Sequence, residues 1–225
     1  MDPPMADLFD FEQFRRLLFD ASKTAFLLVQ KLHTNESFYF FALNIAPSLG
    51  YVFPYSETEE ELTFAAQDYL KLGWHPELSV AEARENLRWG TNSKRTYSEC
   101  GSLFQQVNEF IEPVTGILDS FPPGPWDEFH AFFNRFIEVC IYVLKQLDSE
   151  GVFGTGEQRN TIALNIFVGD STDEQWLEYA RELNPDAVYA RVVEQKRFAR
   201  TLEAQLLGTP NSSLPASFDF EPDDL

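Results

Sequence analysis

The chain has 225 residues and a mass of 25.9 kDa, is 44% hydrophobic and 15% aromatic, and includes 22 Phe. That is enough apolar material for a sizeable core and too much for a wholly disordered polymer. Against 36 acidic residues stand 17 basic ones, a formal charge of −19 with a pI near 4.4, so phosphate backbones and anionic membranes are repelled over most of the surface.

The first predicted element is a helix on which Phe11, Phe14, Leu18, Ala21, Ala25, Leu28 and Leu32 recur in steps of three and four, one apolar stripe that faces a core. Phe38 to Ile45 is dense in aromatic and branched residues, and Leu49 to Tyr55 resumes the pattern after Ala46, Pro47 and Ser48. The two read as antiparallel strands joined by a short turn. Thr58 with Glu61 has the spacing of a capping box for a helix of about four turns that stops at Gly73, and Ser79 caps a shorter helix through Val80, Ala83 and Leu87.

From Gly90 to Ser98 the chain is polar and locally basic, so it reads as a surface connection, with Arg88, Lys94 and Arg95 forming a basic patch without acidic neighbours. Helical periodicity returns through Leu103, Val107, Phe110 and Ile111. Pro113 is expected to kink or restart that helix, and the proline-rich stretch Phe121 to Trp126 to break the chain. Phe129, Phe132, Phe133, Phe136, Val139, Cys140, Val143, Leu144 and Leu147 then make a broad apolar face on a long helix.

After a loop with Gly151, Gly154 and Gly156, residues Thr161 to Val168 form a third strand. Thr172 or Asp173 caps the helix that follows, and Asn184 with Pro185 is placed to start a last helix ending at Leu207. The tail 208–225 contains Pro210, Pro215 and Pro222 and a charge of −4 from Asp219, Glu221, Asp223 and Asp224, which leaves −15 on the rest of the chain. The tail is expected to be disordered and dispensable for one folded domain over 1–207.

Two cysteines, Cys100 and Cys140, cannot build a dense disulfide framework or a four-thiolate zinc site. The amino-terminal end opens with Asp2, Pro3 and Pro4 where a secretory signal carries positive charge and an apolar run. The most apolar windows, Phe38 to Leu43 and Ile137 to Leu144, fall far short of the roughly 20 residues that cross a bilayer. These features predict a reduced, cytoplasmic protein that binds neither membrane nor nucleic acid.

Chemistry is sparsely signalled. Asp170, Asp173 and Glu174 follow the third strand and are candidate ligands for a magnesium ion, although capping and helix-terminus charge account for the same residues. His33, His75 and His130 lie in different elements without the short spacing of a zinc site. Cys100, beside Gly101 and Ser102 at a helix start, is a candidate for a lowered thiol pKa. The glycine loop has no phosphate-loop lysine, and no nucleophile-elbow motif occurs. Binding features are better represented: Tyr55, Trp74 and Trp89 fall near element ends, and the tetrapeptide FDFE occurs at Phe9 to Glu12 and again at Phe218 to Glu221. The second copy would place Phe218 and Phe220 in a free recognition segment.

The order of features is itself distinctive: a leading amphipathic helix, FYFFAL, YVFPYSETEEEL, LRWG, TIALNIFVGDSTDE and the LNP of Leu183 to Pro185. It resembles the bacterial family called domain of unknown function 4303 over roughly Phe11 to Val188. The resemblance implies no assigned reaction and no catalytic residue. Small acidic cytoplasmic domains of this general kind are often encoded beside secreted toxins as immunity proteins, an analogy of context.

The resulting expectation is an α+β fold, with six or seven helices packed on a small, mostly antiparallel sheet of three or more strands whose exposed edge is a contact surface. The expected function is non-enzymatic binding of a basic protein partner, immunity-like or scaffolding, with no cofactor. The alternative is a metal-assisted hydrolase built on Asp170, Asp173 and Glu174.

Overall fold

The structure is a computed structural model that describes residues 9–73, 75–90, 95–120, 126–169 and 171–207. The described residues divide into two compact units, one drawn from 1–59 and 93–192, the other from 60–92 and 193–225.

The larger unit is built around helix α1 (Phe11–Leu32) and strands β1 (Phe38–Ile45), β2 (Val52–Thr58) and β3 (Ala163–Val168). Asp10 caps α1 by accepting from the Gln13 N–H at 2.9 Å. The buried stripe of α1 runs Phe11, Phe14, Leu18, Ser22, Ala25, Phe26 and Val29. The stripe expected from spacing is largely this one, but its last member, Leu32, is 55% exposed and its centre passes through a serine.

The sheet order is β2-β1-β3. β1 runs antiparallel to β2, with Leu43 opposite Pro54, and parallel to β3, with Leu43 opposite Ile166. The sheet is therefore mixed rather than mostly antiparallel, because the long connection after β2 returns β3 in the direction of β1. As the central strand, β1 is covered on both faces, which explains its near-continuous apolar run. Phe41, Leu43 and Ile45 face the core shared with α1 and β3, while Phe40 turns to the other face, against Tyr55, Phe167 and Trp176.

At the β1–β2 turn, Leu49 takes a left-handed φ of 58° although Gly50 follows it. The Leu49 N–H donates to the Ala46 carbonyl at 2.8 Å, and its side chain is buried in the core, so packing holds the conformation that glycine would otherwise supply.

Helix α4 (Arg95–Cys100) follows in this unit, then a 3-10 turn at Gly101–Phe104, α5 (Gln105–Ser120), α6 (Trp126–Ser149), the single turn α7 (Gly156–Arg159) and α8 (Asp173–Leu183). The last helix, α9 (Asp186–Leu207), begins here. α5 continues through Pro113, which is exposed. The residues of the proline-rich break, 121–125, lie outside those described. α6 packs against α1, with Phe14 and Phe136 stacked at 4.4 Å between centroids. Gly151, Gly154 and Gly156 all have positive φ, which fits the glycine-rich loop before β3.

The smaller unit holds α2 from Glu60 (the helix spans Glu59–Lys71), α3 (Val80–Leu87) and the second half of α9. Gly73, with φ of 72°, follows α2, and Ser79 with Glu82 forms a complete capping box on α3. Leu78, Leu202 and Leu206 make its small apolar cluster, with Tyr69 and Leu70 against it.

On both outer strands of the sheet, side chains pair part of the outward edge. On β2 the Val52 N–H donates to Asn108 Oδ1 at 2.8 Å, and the Ser56 carbonyl accepts from Thr96 Oγ1 at 3.3 Å. Pro54 lies between them in the same alternation, so its missing N–H falls on this outer side. On β3 the Asn184 amide accepts from the Leu164 N–H at 2.8 Å and donates to the Leu164 carbonyl at 2.7 Å. At Val52, Ser56 and Leu164 these outward groups are already paired, which blunts the template for strand addition there. Asn184, expected to cap the last helix, spends its side chain on β3 instead, and also donates to the Ala180 carbonyl.

Candidate functional site

A cluster of ionisable side chains lies where the end of α1, the end of β2 and the start of α4 meet. α1 finishes with His33 as its C-terminal cap, the His33 N–H donating to the Val29 carbonyl. A turn follows in which the Glu36 N–H donates to the His33 carbonyl, which brings the two side chains to the same side. Four residues apart on α4, Arg95 and Glu99 share a helix face.

Glu36 is the hub. Its Oε1 accepts from Arg95 Nη1 and its Oε2 from Arg95 Nη2, both at 2.8 Å, and Oε2 also accepts from Thr58 Oγ1 at 2.7 Å. This forked pairing with Arg95, aided by the Thr58 hydroxyl and opposed by burial, pulls the Glu36 carboxyl down to about 2. His33 sits between two carboxylates, with Nδ1 3.1 Å from Glu36 Oε1 and Nε2 2.8 Å from Glu99 Oε2.

β2 also carries one member of a hydroxyl pair and one member of a hydroxyl–carboxylate pair. Ser56 and Thr96 hydroxyls meet at 2.6 Å, and the Tyr39 hydroxyl donates to Glu57 Oε2 at 2.5 Å, all four residues being buried. A histidine beside a carboxylate is the usual start of a general-base arrangement, but both ring nitrogens of His33 are engaged by protein carboxylates. The Ser56 and Thr96 hydroxyls are tied to one another and that of Tyr39 to Glu57, and the geometry builds a structural ion-pair node.

The basic patch expected at Arg88, Lys94 and Arg95 is corrected by this placement. Arg88 is buried and its guanidinium pairs with Glu85, while Arg95 is committed to Glu36. A guanidinium drawn out of water needs a carboxylate partner, and the helical spacing of Glu85 and Arg88 supplies one. Lys94 lies outside the described residues. The segment from Arg95 onward is helix, with Thr96 buried, where a surface connection was expected.

The other predicted site residues that are described belong to separate segments of the chain. Tyr55 is 2% exposed, its ring edge-on to Phe40 and Phe167, and Trp89 is 7% exposed, so neither ring is presented to solvent. Asp173 and Glu174 occupy the first turn of α8, whose cap is Thr172, in a reciprocal box with Gln175. Trp74, Asp170, Phe218 and Phe220 lie outside the described residues, as does the tail 208–225. Among the described residues no group of three or more His, Cys, Asp and Glu side chains is placed to hold a metal ion.

Cys100 precedes the 3-10 turn but is fully buried, its thiol directed at the Ala25 carbonyl 3.6 Å away. Burial, with Glu99 adding to it, pushes the thiol up rather than down. Burial also pushes the Cys140 thiol up. His75 is buried in the smaller unit with its ring stacked on Tyr69, and His130 is exposed.

The cluster around Glu36 escapes sequence reading because its members come from three elements. The spacing of His33 with Glu36, and of Arg95 with Glu99, was its only local trace.

The model of the family described as domain of unknown function (DUF4303) matches residues 18–185, and the chain belongs to that family. No curated protein and no solved structure matches it. Among the described residues no helix is long and apolar enough to cross a membrane.

Proposed function

We propose that this member of the family is a cytoplasmic binding protein for a basic protein partner, in the manner of an immunity or scaffold protein, and that it performs no reaction of its own. The observation that carries the reading is the location of the charge: of −19 overall only −4 belongs to residues 208–225, so the remainder of the chain holds −15. Glu174, Glu178 and Glu182 recur every four residues along α8, and the first two are held in no ion pair among the described residues. Glu182 pairs with Lys145 at the end of that row. The Glu36 cluster supports the same reading, since Glu36 and Arg95 are spent on each other and both nitrogens of its histidine are engaged by carboxylates.

Such a surface accelerates encounter with a cationic partner and loses the advantage as salt screens it. The test is affinity capture from the native host followed by association kinetics of the captured protein from about 20 to about 300 mM salt, over which the Debye length falls from about 20 to about 6 Å. A basic partner whose association rate falls steeply with salt, and falls again in a Glu174→Lys, Glu178→Lys double variant, supports the reading. Captured partners that are not basic, or rates indifferent to salt, overturn it.

A further inference from the structure

The two contacts of His33 make different demands on its proton inventory, and this points beyond binding to a conformational device. Nδ1 faces Glu36 at 3.1 Å and Nε2 faces Glu99 at 2.8 Å. A carboxylate only accepts, so both ring nitrogens must donate, and only the imidazolium has two N–H groups. Glu36 cannot provide the missing proton near neutrality, because Arg95 and Thr58 keep its carboxyl down at about 2.

We propose that His33 is a proton-operated latch: as the imidazolium it joins the α1–β1 turn to α4 through Glu36 and Glu99, and loss of one proton releases one of these two carboxylates. The charged groups facing the ring are Glu36 from the turn and Glu99 from α4, with Arg95 of α4 on the far side of Glu36; Lys31, in the last turn of α1, is exposed. His33 also caps the carboxyl end of α1, where the helix dipole favours a cation.

The consequence is asymmetric. Without His33, Glu36 still has three hydrogen bonds from Arg95 and Thr58, whereas Glu99 has His33 as its one hydrogen-bond partner among the described residues. The single N–H of a neutral ring cannot serve both, so the bridge between turn and helix opens at one side. Arg95 on Glu36, Thr96 on Ser56 and the buried Cys100 still hold α4. α4 is also the element that covers the Ser56 carbonyl on the outer side of β2, so loosening it frees part of that edge.

The test is amide hydrogen exchange on the full chain at pH 5.5 and pH 8.0, the span over which imidazoles change charge. Protection factors corrected for intrinsic exchange are compared between residues 96–100 and the central strand β1. Protection at 96–100 is expected to fall about tenfold at the higher pH, the equivalent of one charge-assisted hydrogen bond, while β1 is unchanged. In Glu99→Gln, position 99 both donates and accepts and suits either form of the ring, so the pH dependence at 96–100 disappears. Unchanged protection in the wild-type chain overturns the proposal whether or not the variant folds. A pH dependence that persists in Glu99→Gln overturns it as well, since the titrating group then lies elsewhere.

Discussion

Asn184 stands beside Leu164 as a neighbouring strand would: its side-chain amide accepts the Leu164 N–H at 2.8 Å and donates to the Leu164 carbonyl at 2.7 Å. Leu164 is fully buried, so removing the amide leaves two backbone groups of an edge strand without water to replace it. Asn184→Ala is expected to lower the unfolding free energy by about 2 to 4 kcal/mol. Asn184→Asp keeps the acceptor but turns a carboxylate oxygen toward the Leu164 and Ala180 carbonyls, and should recover none of the loss. Urea denaturation of the three proteins at pH 7 measures both differences.

Glu36 gives the protein an acid-sensitive joint. Its carboxyl lies at about 2 when folded against 4.5 for the ordinary value. The unfolded chain therefore binds the proton more readily, and stability contributed by this group is complete above pH 4.5 and lost as pH falls toward 2. The difference corresponds to about 3 kcal/mol, reduced somewhat by the residual exposure of the pair. Glu36→Gln should lose about that much at pH 7 and show a shallower decline between pH 5 and pH 2.5. Chemical denaturation across this range decides it, and parallel slopes for the two proteins would reject the assignment.

Ser22 lies in the middle of the apolar stripe of α1, fully buried, with no hydrogen-bond partner for its hydroxyl among the described residues. Burying a hydroxyl without a partner costs free energy, and alanine is the better helix former. Ser22→Ala should raise stability by about 1 kcal/mol. A thermal melt of the variant that is unchanged or lower shows that the oxygen is satisfied after all.

Gly169 follows β3 where the chain passes Pro47. A Cβ built at Gly169 falls 2.8 Å from Pro47 Cγ and 2.9 Å from its Cδ, and the proline ring cannot swing aside. Gly169→Ala is expected to cost about 1 to 3 kcal/mol, and Pro47→Ala in the same chain should recover part of it. A double-mutant cycle with no coupling between the two sites would refute this account.

Both cysteine thiols are buried and pushed up by burial. Since thiolate is the reactive species, thiol reagents at pH 8 should label neither Cys100 nor Cys140 in the native chain, and both within seconds in denaturant. Rapid labelling without denaturant would show that one of the packed faces opens readily.

What the sequence determined by itself is whatever depends on near neighbours. The stripe of Phe11, Phe14 and Leu18 on α1, the wide apolar face of α6 around Phe136 and Leu144, and the run of β1 are periodic signals that identify an element and its buried side without any knowledge of the partner. The caps at Ser79 and Thr172 are equally local, each closed within three residues. Tertiary structure alone decided the parallel pairing of β3 with β1, the burial of Tyr55, the pairing of Arg95 with Glu36 across 59 positions, and the diversion of Asn184 from helix capping to Leu164. A polar side chain near an element end has several partners of comparable strength within reach, its own backbone among them. Which one it takes depends on where distant segments bring desolvated N–H groups, carbonyls and charges, and that placement is a property of the assembled core.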